Sequence, residues 1–457
     1  MSRSDEYGAP EMDVVIVTPT YISSNPRVVK EADALAGAGF RVCVVFSQGP
    51  MEWARAEDAV VARGQAWEAR PMAWSPSTPG ERRRYAWSTL RFHLARRVPR
   101  WAFGSFPIAV RAECRTVIEL ARAAAAIRAR LYIAHYPEGL AAAAWAAKRH
   151  LASIAYDAED LHTAEDAPTR FGLDRSRRVD TIERRHIRSC AYVSAVSRGV
   201  GAALADRYPG IDPIVVHNAF PWGDRGATDG QTKDRKGPAT SLYWQSQVIG
   251  LDRGLQDVIR ALGRVDRSCQ LHIRGWHSPA VANQLHTLAR EAGVLDRLFL
   301  HARVPSGELL SRAVEHDIGL ALEQPISRNK VLTASNKIFF YLLAGLAVVA
   351  TATPGHEAVL EQAPGAGDVY RPGDVEQLAR ILERLIAEPA VLASRRQAAL
   401  TAARVRWNWE TEQQPLIDAV RAALSPRVDG VASRSRPGTP ELPTGVRTAI
   451  AEHGPAH

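Results

Sequence analysis

The stretch TASNKIFFYLLAGLAVVATATPG, Thr333 to Gly355, places polar residues directly ahead of a run that is apolar almost throughout. Ser335 is a favourable N-cap residue, and the pattern predicts a helix from Asn336 to about Ala344. Gly345 is the residue type that most often ends a helix in the left-handed conformation. The β-branched residues that follow predict a strand from Ala347 to Thr351. The stretch therefore predicts a helix followed by a buried strand.

Ser335, Asn336 and Lys337 stand together at the predicted start of this helix. Unpaired backbone N–H groups and the positive end of the helix dipole form an anion site there, to which Lys337 adds a mobile charge, so a diphosphate would fit. On spacing alone an ordinary role stays open, in which Ser335 caps, Asn336 satisfies backbone groups and Lys337 extends into water. The position favours a ligand, because the loop follows the strand DIGLALE and ligands of doubly wound sheets bind beyond the carboxyl ends of strands.

Short β-branched runs separated by helical patterns recur along the chain. The N-terminal half contains VVIV at Val14, VCVVF at Val42, LYIAH at Leu131, SIAYD at Ser153, YVSAVS at Tyr192 and IVVHN at Ile214. The C-terminal half contains SLYWQ at Ser241, CQLHIRG at Cys269, RLFLHA at Arg297, DIGLALE at Asp317 and AVVAT at Ala347. This alternation predicts an α/β protein with two tandem Rossmann-like domains, each a doubly wound parallel sheet.

The segment GDRGATDGQTKDRKGPAT, after Pro221, is rich in turn formers and has no apolar residue larger than alanine, so it marks the domain boundary. We predict an N-terminal domain over residues 1–222, a linker over 223–240 and a C-terminal domain over 241–409. Residues 410–425 are predicted to form a helix that packs back toward the N-terminal domain. Residues 426–457 are rich in Ser, Pro, Gly and Arg without periodicity, which predicts a disordered tail.

Composition narrows the class of protein. The 4 cysteines of the 457-residue chain form no CxxC pair, which suits a reducing compartment and argues against structural zinc. The first apolar run, at Val14, is far shorter than a signal-peptide core, and no apolar stretch reaches the ~18 residues of a membrane span. We therefore expect a cytoplasmic protein. The net charge of +9 comes mostly from arginine and is compatible with phosphate ligands or an anionic membrane surface.

Several segments resemble the GT-B glycosyltransferases of the family-four type by their order and spacing. They are NPRVVKEADALAGAGFRVCVV, YDAEDLHTAE, VSAVSRGVGAAL, VVHN, IGLDRGLQDVIRAL and SNKIFFYLLAGLAVVAT, and together they span roughly Val14 to Leu424. The resemblance implies the GT-B fold, with an active cleft between two Rossmann-like domains. It also implies retaining transfer from a nucleotide-sugar donor, without a further cofactor. A DxD metal signature is missing from the predicted cleft loops, so no metal site is expected.

The resemblance places the donor in the C-terminal domain. In IGLDRG, Arg253 and Gly254 match a basic residue and a glycine that grip the donor phosphates, although a solvated arginine at a loop-to-helix junction is an open alternative. Arg274, in LHIRGW, is a second phosphate candidate, and the start of the helix described above completes the predicted phosphate site. Glu323, at the end of DIGLALE, matches a glutamate that contacts the transferred sugar.

The chain departs from the family pattern where relatives often carry Phe-Glu-Tyr with a glutamate on the ribose hydroxyls. Here the residues are Phe339, Phe340 and Tyr341, so the ribose must be held otherwise or donor binding is weakened.

In the N-terminal domain, YDAEDLHTAE resembles an Asp-Ala-His-Glu-Leu segment whose histidine faces the transferred sugar. Glu159 occupies the histidine position, with Asp160 and His162 nearby. A carboxylate there could accept a sugar hydroxyl or act as a base toward the acceptor. A polar loop whose acids cap the next helix is the alternative.

The loop TPTYISSNPR precedes a helix predicted to begin near Pro26. Ser23, Ser24 and Arg27 are predicted to face the cleft at the N-terminus of that helix, where relatives bind acceptor or donor phosphate. His217 and Asn218 are predicted to shape the interdomain hinge.

The segment ERRRYAWSTLRFHLARRVPRW, Glu81 to Trp101, sets Trp87, Leu90, Leu94 and Val98 near helical spacing, with arginines on other faces. Such a helix could dock on anionic lipid or pack in the core with solvated arginines. Docking would suit a glycan or lipid-linked acceptor at the inner face of the membrane. No nucleic-acid module accompanies the charge, so nucleic acid is not an expected partner.

The sequence thus predicts a glycosyltransferase. Two alternatives stay open: a non-catalytic scaffold that kept the fold, which Phe340 and Glu159 favour, and a sugar-nucleotide epimerase of the same fold. Glu323, Arg253 and Lys337 oppose the scaffold.

Overall fold

The computed structural model of the chain describes residues 12–425 apart from 168, 236 and 266–268, so the predicted tail at 426–457 lies outside the described residues. The first of two parallel sheets contains β1 (Met12–Thr18), β2 (Val42–Gln48), β3 (Glu68–Ala73), β4 (Ala129–His135), β5 (Ser153–Ala158), β6 (Val193–Ala195) and β7 (Ile214–Val215). The helices associated with it are α1 (Pro26–Gly37), α2 (Glu52–Val61), α3 (Arg82–Arg97), α4 (Phe106–Glu113), α5 (Val117–Ala125), α6 (Tyr136–His150), α7 (Arg170–His186) and α8 (Arg198–Arg207).

The second sheet contains β8 (Thr240–Val248), β9 (Cys269–Trp276), β10 (Leu298–His301), β11 (Ile318–Ala321), β12 (Ala347–Thr351) and β13 (Gly367–Tyr370). The helices of this half of the chain are α9 (Leu255–Leu262), α10 (Pro279–Glu291), α11 (Leu309–Ala313), α12 (Arg328–Leu332), α13 (Asn336–Ala344), α14 (Pro354–Glu361), α15 (Val375–Ala387), α16 (Pro389–Val405) and α17 (Trp409–Leu424).

The strand order determines where ligands can bind. The orders are β3-β2-β1-β4-β5-β6-β7 and β10-β9-β8-β11-β12-β13, so each chain half winds one way from its first strand and then the other way from its fourth. The prediction of two Rossmann-like, doubly wound parallel sheets is confirmed. In such sheets the binding crevice lies beyond the carboxyl ends of the strands at the point of reversal. Here those points lie between β1 and β4 and between β8 and β11.

The polar-then-apolar stretch at Thr333 forms the elements predicted from it. Helix α13 begins at Asn336 and ends at Gly345, which adopts a left-handed φ of 74°, and β12 follows. Every α13 side chain from Lys337 to Ala344 is buried. Gly319 of β11 permits this packing, because a Cβ atom there would lie 2.3 Å from Cγ of Tyr341.

The last described helix joins the two halves of the chain. Trp409, Leu416 and Val420 of α17 belong to the same buried cluster as Val14 and Ile16 of β1. Helix α17 therefore covers the first sheet, because it buries its apolar face there.

The predicted linker, residues 223–240, is held by polar contacts and contributes little apolar surface. The backbone N–H groups of Lys233 and Asp234 donate to Oε2 of Glu315 at 2.8 and 2.7 Å. The Asp234 carboxylate in turn pairs with Arg274 of β9. These bonds fix the segment against the second sheet.

Helix α3 directs its large apolar side chains outward. Trp87, Leu90 and Leu94 are 61%, 50% and 55% exposed, whereas Ser88 and Ala95 form its buried face. Core packing of the three large residues is therefore contradicted, because the small residues make the contact with the domain. Within the described part of the chain, no helix combines the length and apolar character required to cross a bilayer.

Candidate active site

A cavity of about 220 Å³ lies between the carboxyl ends of the two sheets. It brings together seven of the residues predicted from the sequence, which are Glu159, Asp160, Arg253, Glu323, Ser335, Asn336 and Lys337. Four further residues line it that the sequence did not indicate as cavity-lining, namely Val196, Asn218, Lys330 and Thr333. Residues distant in the chain therefore meet at one site.

The N-terminus of α13 faces this cavity without a side-chain cap. Ser335 stands at the N-cap position, but no cap hydrogen bond from its side chain is formed. Its hydroxyl donates instead to Oε1 of Glu323 at 3.1 Å. The predicted capping role of Ser335 is therefore replaced by a bond to the carboxylate, and the first-turn amides keep their capacity to bind an anion.

Glu323 is the centre of the cationic side of the cavity. Lys337 donates to its Oε1 atom, and Nη1 of Arg253 lies 4.0 Å from Oε2. Burial opposes ionisation of Glu323, but Lys337, Lys330 and Arg253 outweigh it and hold the pKa of Glu323 well below its usual range. The carboxylate is therefore ionised and neutralises only part of the surrounding positive charge.

Gly254 makes the approach of Arg253 possible. Its φ of 73° is left-handed, and a Cβ atom would lie 2.5 Å from the carbonyl oxygen of Leu322, immediately after β11. A side chain at this position would be strained by its backbone and by this contact. The predicted Arg-Gly pair therefore lies between the ends of β8 and β11, with the Arg253 side chain 31% exposed.

Glu159 and Asp160 line the N-terminal side of the cavity after β5. Oε1 of Glu159 accepts from Nδ2 of Asn25 at 2.6 Å and lies 2.7 Å from Nδ1 of His135. Asp160 accepts from Nδ2 of Asn329 at 2.7 Å, and burial raises the pKa of Asp160. The two carboxylates are thus fixed by different partners, one from each half of the chain.

Asn329, on α12, links the C-terminal domain to the acidic loop. Its Oδ1 atom accepts from the backbone N–H of Leu161 at 2.7 Å, while its amide group donates to Asp160. Ser197 adds a second link by donating to the carbonyl oxygen of Leu332 at 2.8 Å. Sequence reasoning missed Asn329, because an asparagine in a short polar segment has no pattern that distinguishes it from a loop residue.

His162 lies behind the acidic loop and does not line the cavity. Its Nδ1 atom is 3.0 Å from Oε2 of Glu165, and its ring packs near Tyr136 with centroids 5.4 Å apart. Burial opposes protonation, but the hydrogen bond and charge of Glu165 with the charge of Asp160 raise the pKa of His162 to about 9. His162, which the resemblance placed near the transferred sugar, is thus part of a partly buried ion pair with Glu165.

The predicted phosphate loop near α1 is occupied by internal contacts. Ser23 bonds to Asp58, and Ser24 donates to the carbonyl oxygen of Tyr21 at 2.8 Å. Arg27 is 2% exposed and is held by Asp157, at 2.6 Å from Nε. The expectation that these side chains face the cleft differs from the structure, because Asn25, the N-cap residue of α1, is the side chain that reaches Glu159.

Arg274 also differs from its predicted position. The side chain is 4% exposed, pairs with Asp234 and donates to the carbonyl oxygen of Ala302 at 2.5 Å. The Arg274 side chain does not line the cavity, because it forms an ion pair with Asp234 of the linker.

Two other sequence hypotheses concern the hinge and the missing glutamate. Nδ1 of His217 lies 2.9 Å from Oε2 of Glu412, while Asn218 lines the cavity. Phe340 is buried against Phe220, with ring centroids 5.2 Å apart. Position 340, where the family-four pattern described above would have a glutamate, is therefore part of an apolar core.

No protein-family profile matches the chain, and no curated protein sequence matches it. Solved structures do match. HepE of Anabaena in complex with UDP and glucose is 15% identical, with 90% of this chain and 100% of that chain covered and a TM-score of 0.63. Sucrose-phosphate synthase from Thermosynechococcus elongatus is 14% identical, with 90% and 98% covered and a TM-score of 0.62. The chain has the GT-B fold.

A third GT-B match carries a different activity in its name. A protein assigned as UDP-N-acetylglucosamine 2-epimerase from Listeria monocytogenes is 12% identical, with 91% of this chain and 97% of that chain covered and a TM-score of 0.55. At these identities the likeness establishes the fold. The chemistry of this chain depends on the residues of its cavity. There a cationic wall, which includes the uncapped N-terminus of α13, faces the two carboxylates of Glu159 and Asp160.

Proposed function

We propose that this chain is a retaining glycosyltransferase that moves a sugar from a nucleotide-sugar donor to a glycan or lipid-linked acceptor. The observation that carries the proposal is the cavity between the sheets, in which the uncapped start of α13 and three cationic side chains face Glu159 and Asp160. The UDP and glucose bound to HepE, a protein of the same fold, support a nucleotide-sugar ligand.

The charges of the C-terminal wall fit a diphosphate. Arg253, Lys330 and Lys337 carry three positive charges against the one negative charge of Glu323. A sugar diphosphate bears about two negative charges and would be matched by this surplus together with the amides of α13. Lys337 can keep its bond to Glu323 while binding phosphate, because an ammonium group has three donors.

The N-terminal wall fits sugar hydroxyl groups. Carboxylates accept hydrogen bonds from hydroxyls, and those of Glu159 and Asp160 lie across the cavity from the cationic wall. Oε1 of Glu159 is engaged by Asn25 and His135, whereas no described residue bonds its Oε2 atom. Glu159 is therefore the proposed contact for the acceptor hydroxyl or a hydroxyl of the transferred sugar.

The proposed reaction follows from the binding of phosphate at the C-terminal wall and of hydroxyl groups at the N-terminal wall. The bond between the anomeric carbon and the phosphate oxygen breaks while the diphosphate stays on the cationic wall, and the acceptor oxygen bonds to the same face of the anomeric carbon. The acceptor proton passes to the leaving phosphate oxygen. Positioned cations and helix amides stabilise the charge on the leaving group, which is how the chain would dispense with a metal ion. NMR of the product would show the donor's anomeric configuration; inversion would contradict the proposed retention.

A metal at the nearest cluster of ligand-type side chains does not fit the local chemistry. Glu31, His135 and Asp157 place ligand atoms within 4.8 Å of one another, but Arg27 binds both oxygens of Asp157. Oε2 of Glu31 is bonded to the His135 ring at 2.5 Å. We accordingly expect donor turnover to persist in a chelator, measured as released nucleotide.

We further propose peripheral contact with anionic membrane through the surface formed by α3 and its neighbours. Trp87, Leu90, Leu94, Trp101 and Phe171 form its exposed apolar part. The segment from Arg82 to Trp101 adds 7 arginines. An apolar face within a cationic surface is typical of helices that lie in the interface of an anionic bilayer. Such contact would bring a cytoplasmic enzyme to a lipid-linked acceptor.

Vesicle co-sedimentation tests that surface separately from catalysis. Vesicles rich in phosphatidylglycerol should bind the full chain. The double variant Arg83→Glu, Arg97→Glu should lose most of this binding, because both arginines are exposed. Arg149→Glu, exposed on α6, is the matched control. No binding to anionic vesicles at low salt would remove the membrane proposal and leave the enzymatic one intact.

Calorimetry with UDP-, GDP- and ADP-sugars tests the proposed function. We expect one nucleotide class to bind, with UDP-glucose as the first candidate because of the HepE complex. The absence of binding to every donor would favour the non-catalytic scaffold. If a donor binds, product analysis separates transfer from epimerisation, since an epimerase changes the sugar without moving it to an acceptor.

A further inference from the structure

The side chain of His135 lies directly behind the carboxylate that faces the cavity. It is fully buried at the end of β4, with Nδ1 2.7 Å from Oε1 of Glu159 and Nε2 2.5 Å from Oε2 of Glu31. The imidazole thus bridges a buried carboxylate on α1 and a carboxylate at the wall of the cavity. When both carboxylates are ionised, each ring nitrogen faces an acceptor, which a neutral ring, with one donor only, cannot satisfy.

The surrounding charges favour the protonated ring. Burial opposes protonation, but the charge of Glu31, the bonds from Glu159 and Glu31 and the charge of Asp157 outweigh it and raise the pKa of His135 to about 10. The other groups that face this cluster include Arg27, from α1, which is paired with Asp157, and Tyr192, next to β6, which interacts with Glu31 and Asp157. Lys30, also on α1, and Tyr136, at the start of α6, both interact with Glu159, and burial lowers the pKa of Lys30 well below its usual value.

Among the groups that bond to one another there is one surplus negative charge; Lys30 is not counted, because burial lowers its pKa well below its usual value. With the ring protonated, Arg27 and His135 balance two of the three carboxylates of Glu31, Asp157 and Glu159. The side chains of Glu31 and Asp157 are 1% and 3% exposed, whereas that of Glu159 is 12% exposed and lines the cavity. The surplus charge therefore reaches solvent at Glu159.

We infer that His135 is a positioning residue that, as an imidazolium, fixes Oε1 of Glu159 and leaves Oε2 as an ionised acceptor for a substrate hydroxyl. This inference rests on the proposed function and deepens it, because it assigns the acceptor chemistry of the N-terminal wall to a pair of residues. Asn25 supports the same oxygen from α1.

The protonation of His135 can be measured without any substrate. In the full chain labelled with ¹⁵N-histidine, which has 14 histidines, the His135→Gln variant identifies the His135 resonances. We expect both ring nitrogens to carry protons at about pH 8, where an ordinary imidazole is neutral. A neutral ring at that pH would overturn the inference, whether or not the chain binds a nucleotide sugar.

Kinetics then separate positioning from a structural role. Glutamine at position 135 keeps a hydrogen-bond donor but removes the charge, so we expect kcat to fall at least about tenfold with nearly unchanged donor affinity. The acidic limb of the rate profile should move to higher pH, because the carboxylates lose their buried counter-charge. His150→Gln is the matched control, since that ring bonds only a carbonyl oxygen of Ala125 in the same domain.

A second variant controls for a loss of activity caused by misfolding. Glu31→Gln keeps the size of the side chain and a contact with the ring, so a smaller fall in kcat and a smaller shift of the acidic limb are expected. Equal losses of kcat and thermal stability, with an unmoved pH profile in both variants, would reduce His135 to a structural residue. If the wild type binds no donor in calorimetry, the proposed function fails, and the NMR result still decides the charge state of His135.

Discussion

The two walls of the interdomain cavity both lie beyond the carboxyl ends of parallel strands but carry opposite charge. On the C-terminal side, the loops after β8 and β11 supply Arg253 and Glu323, and α13 adds Lys337. On the N-terminal side, the loop after β5 supplies Glu159 and Asp160. One wall has a surplus of cations and the other of carboxylates, so the fold fixes where ligands bind and the side chains determine which ligand binds on each side.

The opposite charges of the two walls indicate which groups of a substrate each wall would bind. Phosphate is attracted to the wall with helix amides and fixed cations, and hydroxyl groups to the wall with acceptors. The walls are also linked, because Asn329 of the cationic domain holds the loop that carries Asp160. Occupation of one wall is therefore expected to affect the geometry of the other.

The acidic wall should show the largest effect. Glu159→Gln removes the negative charge that would accept the hydrogen bond of the hydroxyl group, while keeping the shape of the side chain. We expect kcat to fall by about 10²–10⁴ with donor affinity nearly unchanged, measured by initial rates and calorimetry. Glu361→Gln, exposed at the end of α14, is the control. An equal loss of donor affinity would mean that the two walls do not divide the roles.

Substitutions in the cationic wall should weaken donor binding. Lys337→Ala and Arg253→Ala each remove a charge-assisted contact with phosphate, so calorimetry should show donor binding weakened by about 1.5–3 kcal/mol. Lys148→Ala, exposed on α6, is the matched control for loss of positive charge. Unchanged affinity in both variants would remove the phosphate assignment.

Behind the acidic wall, the His162–Glu165 pair should contribute stability that depends on pH. The pKa of His162 is raised to about 9, so its contribution is complete below its ordinary value of 6.5 and is lost as the pH rises through about 9. The pKa of Glu165 is lowered to about 2, so its contribution is present above 4.5 and is lost as the pH falls through about 2. The pair is therefore strongest between 4.5 and 6.5.

Urea denaturation of His162→Gln measures this window. We expect a loss of about 1.5 kcal/mol at about pH 6 and a smaller loss at about pH 9.5, where the wild-type ring is mostly neutral. A loss that is the same at both pH values would show that His162 acts by packing alone.

The link between the walls should have the smallest effect. Asn329→Ala removes two hydrogen bonds to the acidic loop, so kcat/KM should fall about 3- to 10-fold while nucleotide affinity changes little. Asn283→Ala, on the remote helix α10, is the matched control. A change confined to nucleotide affinity would place Asn329 on the phosphate side instead.

The sequence predicted the interior strands and the stretch around α13 because their residues have strong local patterns. It missed β3 and β13, which are edge strands. An edge strand is buried less, and β3 (EARPMA) has mostly exposed or half-exposed residues, so neither its composition nor its alternation distinguishes it from a loop.

The candidate site was predictable where residues follow the carboxyl ends of predicted strands, as with Glu159, Arg253 and Glu323. Arg274 and Arg27 were misplaced because each found a buried carboxylate partner, Asp234 and Asp157, far away in the sequence. Such long-range pairing leaves no local pattern. The same reason explains why His135 was not recognised, although it ends the predicted strand LYIAH.

A crystal structure of the full chain with UDP-glucose tests the division between the walls most directly. The account predicts phosphate oxygens within about 3.2 Å of Lys337 Nζ and of the first amides of α13, with the sugar directed toward Glu159. A nucleotide bound outside the cavity, or a diphosphate held by the acidic domain while Lys337 contacts only Glu323, would contradict it.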